Sequence, residues 1–295
     1  MYFGDWVNGE RHGQGREELP SGQIYEGQFD QGSWHGRGKL IFANKNNQVM
    51  QAFYDGQWKS NEYHGQGKLQ YHDGDLYEGQ FRDDKKHGQG KMLYYSGTTY
   101  EGSWMNDVIQ GHGRQETKDG QVYIGHFKEG KWHGNGRMTF PMKPGDLVQS
   151  YYDGEWKDDE FHGFGKYQYS DGDVYSGHWQ NDKKHGKGRH TYNDGNYYDG
   201  QWKSDDYNGH GTETYSGGSW YQGDFVNGER HGKGRMTDSG GDSWYDGEWC
   251  EGEATGYGEE LLDDGRRFVG YFTNRDWNGQ GTLYKTDGTV QRGTW

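Results

Sequence analysis

Histidines that recur at one place in a glycine-rich box are the residues of this sequence best suited to chemistry. An imidazole can bind a metal or move a proton near neutral pH. A His-Gly-x-Gly box contains His12, His35, His64, His87, His133, His162, His185 and His231. Four further boxes carry Gln110, Asn208, Thr255 and Asn278 at the same place. Because a metal ligand or catalytic base would not tolerate that exchange, we interpret these histidines as structural and expect no catalytic residue, metal or cofactor.

Two other motifs that could indicate chemistry, glycine boxes and acid pairs, are weak evidence for it. Gly-x-Gly boxes can cradle phosphate when a helix N-terminus follows, and no segment here has the hydrophobic period of a helix. Acid pairs such as Glu17-Glu18 and Asp83-Asp84 are typical of solvated turns and edges. We therefore predict that the chain is not an enzyme.

A short repeat positions the boxes. Each repeat begins with an aromatic residue, here named the first aromatic: Tyr2, Tyr25, Tyr54, Tyr77, Tyr100, Tyr123, Tyr152, Tyr175, Tyr198, Tyr221, Tyr245 and Phe268. A Trp or Phe, the second aromatic, follows four residues later. The first aromatics lie 23 residues apart, with two intervals of 29 and one of 24. We interpret 1–295 as one array of twelve repeats, followed by a half repeat that begins near 291 and ends at Trp295.

The array has an internal symmetry of its own. The two longer intervals each carry six extra residues and lie 98 residues apart. Lys85-Lys86-His87 in the first block reappears as Lys183-Lys184-His185 in the second. This predicts that 25–122 and 123–220 are a tandem duplication of a four-repeat block.

Each repeat has the pattern of a β-hairpin. Alternation places Tyr77, Gly79 and Phe81 on one face of a strand, and Met92 with Tyr94 on one face of the next. Asp-Gly pairs that favour type I′ turns connect one repeat to the next: Asp73-Gly74, Asp119-Gly120, Asp171-Gly172, Asp194-Gly195, Asp264-Gly265 and Asp287-Gly288. Pro141 and Pro144 predict a longer loop in the second insertion. The predicted fold is all-β: an elongated, twisted single-layer antiparallel sheet of tandem hairpins.

The composition suits such a sheet and limits its partners. Hydrophobic residues make up 28% of the chain, aromatics 17%, and 55 residues are glycine. A net charge of −14 argues against nucleic acid and against anionic membranes. With Cys250 as the one cysteine, and with no signal-peptide or transmembrane pattern, we expect an intracellular protein.

The repeat resembles the MORN repeat (membrane occupation and recognition nexus). The resemblance rests on an aromatic-x-Gly-x-aromatic strand followed by the Gly-x-Gly box. Its structural residues are well represented by Tyr25, Gly27, Phe29, His35, Gly36, Gly38, Tyr77, Gly79, Phe81, His87, Gly88, Gly90, Tyr175, Gly177, Trp179, His185, Gly186 and Gly188. Related arrays occur in junctophilins, phosphatidylinositol phosphate kinases, radial spoke head proteins and protist cytoskeletal scaffolds. The resemblance implies a non-enzymatic scaffold or protein-interaction rod in a cytoskeletal or ciliary assembly such as a radial spoke.

Several surfaces are candidates for binding. An aromatic face would take a helix or extended peptide of another protein, an acidic end would dock a basic partner, and open sheet edges favour a homodimer or end-to-end self-association. The partner-binding candidates are Tyr71, Tyr94, Tyr169, Tyr192, Trp295, Glu259, Glu260, Asp263 and Asp264. The lipid-headgroup candidates, whose charge is nearly cancelled by neighbouring residues, are Lys85, Lys86, Lys183 and Lys184. A phosphoinositide-binding tether and a carbohydrate-binding module are the alternative functions.

Overall fold

The computed structural model describes residues 1–43 and 50–295. The predicted all-β fold is confirmed: the described residues form 25 strands and no helix, in one open antiparallel sheet of tandem hairpins. The strands are β1 (Tyr2–Val7), β2 (Glu10–Glu18), β3 (Ile24–Asp30), β4 (Ser33–Ile41), β5 (Phe53–Lys59), β6 (Glu62–Gln70), β7 (Leu76–Arg82), β8 (Lys85–Leu93), β9 (Thr99–Met105), β10 (Val108–Glu116), β11 (Val122–Lys128), β12 (Lys131–Thr139), β13 (Tyr151–Lys157), β14 (Glu160–Gln168), β15 (Val174–Gln180), β16 (Lys183–Thr191), β17 (Tyr197–Lys203), β18 (Asp206–Thr214), β19 (Trp220–Val226), β20 (Glu229–Thr237), β21 (Trp244–Cys250), β22 (Glu253–Leu261), β23 (Arg267–Thr273), β24 (Asp276–Tyr284) and β25 (Val290–Thr294).

Strands that follow one another in sequence pair with one another from β1 through β12 and from β14 through β25. The chain divides into two compact units, one of Met1–Pro141 with Trp156–Asp159, the other of Met142–Glu155 with Glu160–Trp295. In the second insertion, β12 ends at Thr139 and β13 begins at Tyr151, which confirms the longer loop. Part of the first insertion, 44–49, lies outside the described residues.

Two-residue turns close the hairpin inside each repeat. In the repeat of Tyr77, Arg82 pairs with Lys85, and both Asp83 (φ 52°) and Asp84 (φ 63°) adopt left-handed backbone conformations. That geometry is the type I′ turn, whose twist matches the twist of the paired strands. Asp83-Asp84, predicted to be a turn, is therefore the hairpin turn itself.

The connections between repeats have a different turn from the one predicted. Each Asp-Gly pair does lie in a turn, but the type I′ assignment is wrong, because the glycine alone has a positive φ (100° at Gly74) and Asp73 does not. Gly74 N donates to Tyr71 O at 3.2 Å, and Tyr71 N donates to Asp75 O at 2.8 Å. Asp73 Oδ1 accepts from Asp75 N at 3.1 Å, a local bond that favours this wider loop over a two-residue turn.

An aromatic ring lying on a pair of glycines, a tyrosine in all repeats but that of Phe268, is the core of each repeat. Gly79 and Gly90 face each other across β7 and β8, and a Cβ on Gly90 would lie 2.2 Å from Tyr77 Oη. Tyr77 is 0% exposed, and its hydroxyl donates to Gln80 O at 2.9 Å, where the register of the two strands shifts. The bulged Gly88 (φ 63°) accommodates that shift. Glycine at 79 and 90 is thus required for space.

Edge-to-face ring contacts join neighbouring repeats. In the first unit, Tyr77 meets its own second aromatic, Phe81, at 5.0 Å and the next one, Trp104, at 5.3 Å. In the second unit, Tyr175 meets Trp179 at 5.0 Å and Trp202 at 5.2 Å. Such ring pairs each stabilise the fold by about 0.5–1.5 kcal/mol beyond the contribution of the apolar area that they bury.

Polar bonds also cross from repeat to repeat. Trp104 Nε1 donates to Gly90 O of the preceding repeat at 3.2 Å. At the hairpin turns, Asp84 Oδ1 accepts from Tyr63 N at 2.7 Å, and Asp107 Oδ1 accepts from Lys86 N at 3.0 Å. A sheet without a second layer thus gains its tertiary contacts along its own length.

Replacing Gly90 with Ala tests the ring-on-glycine core. The new methyl group would displace the Tyr77 ring, and overpacking of this kind costs about 1–3 kcal/mol. Gly217→Ala is the matched control, since a Cβ there meets nothing within 4 Å and φ is not positive. We expect the urea midpoint, followed by tryptophan fluorescence, to fall for Gly90→Ala and to stay unchanged for Gly217→Ala. Equal midpoints for the two variants would show that the glycine pair is not needed for space.

Candidate functional site

In most repeats one side chain covers the ring of the first aromatic. It stands nine residues after the first aromatic, on the strand that follows the hairpin turn. We name these residues the covering row: Arg11, Trp34, Tyr63, Lys86, Ile109, Trp132, Phe161, Lys184, Tyr207, Arg230, Ala254 and Trp277. The space that each of them fills over the first aromatic is named the slot.

Aromatic members of the covering row stack on the first aromatic. Trp34 lies parallel to Tyr25, with ring centroids 4.5 Å apart and 6° between the planes. Tyr63 stacks on Tyr54 at 3.8 Å. These contacts close off the first aromatic from solvent on the side away from the glycines.

Cationic members occupy the slot by cation–π contact. Lys86 Nζ lies 4.8 Å from the Trp104 ring centroid and 5.8 Å from that of Tyr77. Arg230 Cζ lies 4.8 Å from the Tyr221 centroid. Burial lowers the pKa of the Lys86 ammonium group, with nearby Asp107 opposing that shift. The slot therefore accepts a flat ring or a cation, both of which suit the face of an aromatic ring.

The preceding repeat supplies a polar partner for several slots. Trp34 Nε1 donates to Glu17 Oε2 at 3.0 Å, and Trp132 Nε1 donates to Gln115 Oε1 at 2.9 Å. Arg230 Nη2 forms a charged bond with Glu213 Oε2 at 2.8 Å. The chemistry of each slot thus depends on two repeats.

The covering row, rather than the first and second aromatics, forms the surface of the ring face. From Tyr25 through Tyr221 the first aromatics are 0–1% exposed, whereas Trp34, Tyr63 and Trp132 are half-buried. A partner approaching this face meets the covering row. This row was not predicted from the sequence, although its recurrence every 23 residues beside the box is a usable signal.

The predicted turn tyrosines lie beside the covering row. Tyr71, Tyr94, Tyr169 and Tyr192 are half-buried. Lys86 Nζ lies 3.4 Å from Tyr71 Oη, and the hydroxyls of Tyr192 and Tyr207 share a hydrogen bond. Burial raises the pKa of Tyr71 to about 12. These predicted partner-binding residues therefore share a surface with the row that sequence analysis missed.

The acidic residues of the predicted docking end differ in their surroundings. Glu260 accepts from Trp277 Nε1 at 2.6 Å on the ring face, whereas its neighbour Glu259 pairs with Arg267 at 2.5 Å. Asp263 and Asp264 are exposed in the turn, where bonds from Arg266 lower the pKa of Asp264. Trp295 packs edge-on against Phe268, with centroids 5.1 Å apart.

The two members of each lysine pair do not share a surface. Lys85 and Lys183 are exposed, whereas Lys86 and Lys184 turn into the slots of their repeats. Adjacent strand residues point to opposite faces, which separates the charges. The two charges of each pair therefore do not act on one surface.

The box histidines lie close to the hairpin turn of the next repeat. His12 Nδ1 is 3.5 Å from Asp30 Oδ1, and His133 Nδ1 is 3.6 Å from Asp158 Oδ1. Among the residues that the structure describes, His87 Nδ1 has no hydrogen-bond partner, and no group of three metal-ligating side chains occurs. In that same part of the chain, no helix has the length and apolarity to cross a membrane.

A buried polar cluster distinguishes one slot from the others. His190, 6% exposed, lies between Lys184 Nζ, 3.1 Å from its Nδ1, and Asp173 Oδ2, 3.0 Å from its Nε2. Burial and the Lys184 charge lower the pKa of His190, and Asp173 opposes them. The distances fit a neutral imidazole that accepts from Lys184 and donates to Asp173.

Comparison with known proteins assigns the family. The MORN repeat profile matches eleven consecutive segments: 2–24, 25–47, 54–76, 77–99, 100–122, 123–143, 152–174, 175–197, 198–220, 221–243 and 245–265. The chain therefore belongs to the MORN-repeat family. Membership indicates a repeat-based scaffold that binds proteins or membranes, of a repeat type known as non-enzymatic. Beyond the last matched segment, β23 and β24 form one more hairpin with the same ring-on-glycine core.

Solved structures add no functional argument. The TCP domain of SAS-4 from Drosophila melanogaster, solved with a proline-rich motif of Ana2, is 12% identical over 78% of this chain and 84% of that one, with a TM-score of 0.19. Virginiamycin B lyase from Staphylococcus aureus is 9% identical over 100% of this chain and 88% of that one, with a TM-score of 0.15. A streptogramin B lyase is 11% identical over 88% and 82%, with a TM-score of 0.14. No curated protein matches the chain.

His190→Met tests the buried cluster through the pH dependence of stability. Because the folded state lowers the pKa of His190 from its ordinary 6.5, the stability that this group contributes is present above pH 6.5 and is lost as the pH falls below it. Methionine stands at the equivalent place in Met92, Met138 and Met236, so the variant keeps the fold. We expect the stability difference between the wild-type protein and the variant to change on acidification below pH 6.5 in urea titrations. Parallel pH profiles would contradict the assigned protonation.

Proposed function

We propose that this protein is a non-enzymatic scaffold that holds other proteins along the covering row. The observation that supports this most directly is the row itself, a series of half-buried rings and cations at a regular spacing on one face. Tyr, Trp and Arg are the residues that dominate binding energy at protein interfaces. A helix or an extended peptide laid along the row would contact several repeats at once.

We propose an intracellular setting in a cytoskeletal or ciliary assembly, such as a radial spoke. This part of the proposal rests on analogy with other MORN-repeat proteins. Self-association belongs to the same proposal, because strands at the edge of a sheet can pair with another copy, and among the described residues β1 pairs with β2 and β25 with β24.

Paired double variants test whether the covering row is the binding surface. The double variant Tyr63→Lys with Trp132→Lys places lysine in two slots, a residue that the row already contains at Lys86 and Lys184. Gln66→Lys with Asn135→Lys is the control on exposed positions of the opposite face, with the same change in charge. We expect proteins captured from a cell extract by the full chain, quantified by mass spectrometry, to be lost with the row variant and kept with the control.

Two further readouts separate the alternatives. A differently tagged copy of this chain, added as prey, measures self-association. Anionic vesicles containing phosphatidylinositol phosphates, at about 0.15 M salt, measure membrane binding. Equal capture by both variants, or vesicle binding in place of protein binding, would contradict the proposal.

A further inference from the structure

One slot of the covering row is empty of any large side chain. Ala254 stands where the other repeats have a ring, a cation or isoleucine, and a cavity of about 410 Å³ lies beside it. Tyr245, Trp249, Phe272 and Met236 line this cavity. Tyr245 is 8% exposed, whereas the first aromatics from Tyr25 through Tyr221 are 0–1% exposed. Ala254 thus leaves part of the Tyr245 ring open to the cavity.

A second small residue enlarges the same space. Asp238 occupies the turn position that holds Tyr71, Tyr169 and Tyr215 in other repeats, where each tyrosine contacts the cation in the following slot. Asp238 lines the cavity and places a carboxylate there in place of a phenol. The cavity volume falls within the range of about 300–1,000 Å³ that is typical of ligand pockets.

Buried polar atoms in the wall lack partners. Thr237 is 6% exposed, lines the cavity, and has no hydrogen-bond partner for its Oγ1 among the described residues. The Asp238 carboxylate accepts hydrogen bonds from Ser243 and from the backbone of Gly241 and Asp242, and only its Oδ1 lacks a partner in that part of the chain. Because both atoms are shielded from solvent, an entering donor would reach them only if the turn shifted.

The charge of the wall is acidic. Three acidic residues, Asp238, Glu260 and Asp263, line the cavity. Arg275 also lines it, but its guanidinium already pairs with Glu253 at 2.9 Å. A cationic group entering the cavity would therefore meet uncompensated negative charge and two or more aromatic faces.

The other repeats show which side chain occupies a slot next to a given turn residue. Lys86, Lys184 and Arg230 follow a tyrosine at the turn position, whereas Trp34 and Trp277 follow Leu19 and Leu262 there. Tyr94 and Tyr192 precede Ile109 and Tyr207 instead, so a polar turn residue permits a cation in the following slot without requiring one. Asp238 adds a negative charge at this position, which favours a cation further.

We propose that the Ala254 slot binds a lysine or arginine side chain from a basic segment of a partner protein. The inserted cation would lie over Tyr245 and Phe272, as Lys86 lies over Tyr77 and Trp104, and would bond to Asp238. This inference rests on the proposed scaffold function and names the partner chemistry at one repeat.

Acetylated pentapeptides that differ at their central residue, with lysine, arginine, phenylalanine or alanine there, test the proposal on the full chain. The probe is the ¹³C methyl resonance of Ala254, which reports binding in this cavity alone. We expect saturable shifts with the lysine and arginine peptides, with Kd on the order of 1 mM for a single anchoring side chain. Binding should weaken at about 0.5 M salt.

Three variants provide matched controls, with the tryptophan emission of the protein replacing the Ala254 probe. Ala254→Phe fills the slot with a residue found at Phe161, and should reduce affinity at least tenfold while preserving the thermal midpoint. Ile109→Phe makes a comparable change in a slot whose Tyr100 is already 0% exposed, and should leave binding unchanged. Asp238→Asn keeps the shape, and should weaken both basic peptides severalfold.

Preference for the phenylalanine peptide, equal binding of all four peptides, or binding that survives Ala254→Phe would overturn the proposal. Absence of any shift with the basic peptides would also overturn it. These peptides probe one cavity without a natural partner. A negative result here and a negative result in the capture experiment are therefore distinguishable.

Discussion

The approach of a tyrosine ring to two facing glycines is the constraint on which the rest of the structure depends. A single-layer sheet has no second layer to bury its apolar side chains, so its rings must lie flat on the backbone. At Tyr77 this is achieved because Gly79 and Gly90 have no side chains, and because the Tyr77 hydroxyl finds an acceptor at Gln80 O. The second aromatics then fit edge-on between successive tyrosines, which couples each repeat to the next.

This core separates the stability of the array from its capacity to bind. From Tyr25 onward the first and second aromatics are buried and nearly the same in every repeat. The large side chains of the covering row are half-exposed, and the residue type along the row varies from tryptophan to arginine to alanine. Each slot can therefore change its chemistry without changing the hairpin below it. The 23-residue repeat keeps the hairpin constant, and the residue type in the covering row distinguishes one slot from another.

The fold was predictable from the sequence because one pattern determines both strands and their faces. Tyr77, Gly79 and Phe81 alternate as expected, and Met92 pairs with Tyr77 on the same face. The turn type at Asp73-Gly74 was not predictable from the dipeptide, since the length of the loop decides it. The covering row was not predicted because its members share a position in the repeat but not a residue type. The orientation of Lys86 into its slot was not predictable either, since it depends on packing between repeats. The duplication of 25–122 as 123–220 stays a prediction.

Alkaline titration of the 25 tyrosines, by ultraviolet absorbance alongside circular dichroism, tests the central claim most directly. Burial raises the pKa of Tyr25, Tyr77 and Tyr175 well above the ordinary 10.0, so the stability that they confer is present below that pH and is lost as the pH rises above it. The account predicts a late phase of ionisation that coincides with loss of the β-sheet signal. A single reversible ionisation of all tyrosines near pH 10, with the sheet intact, would contradict it.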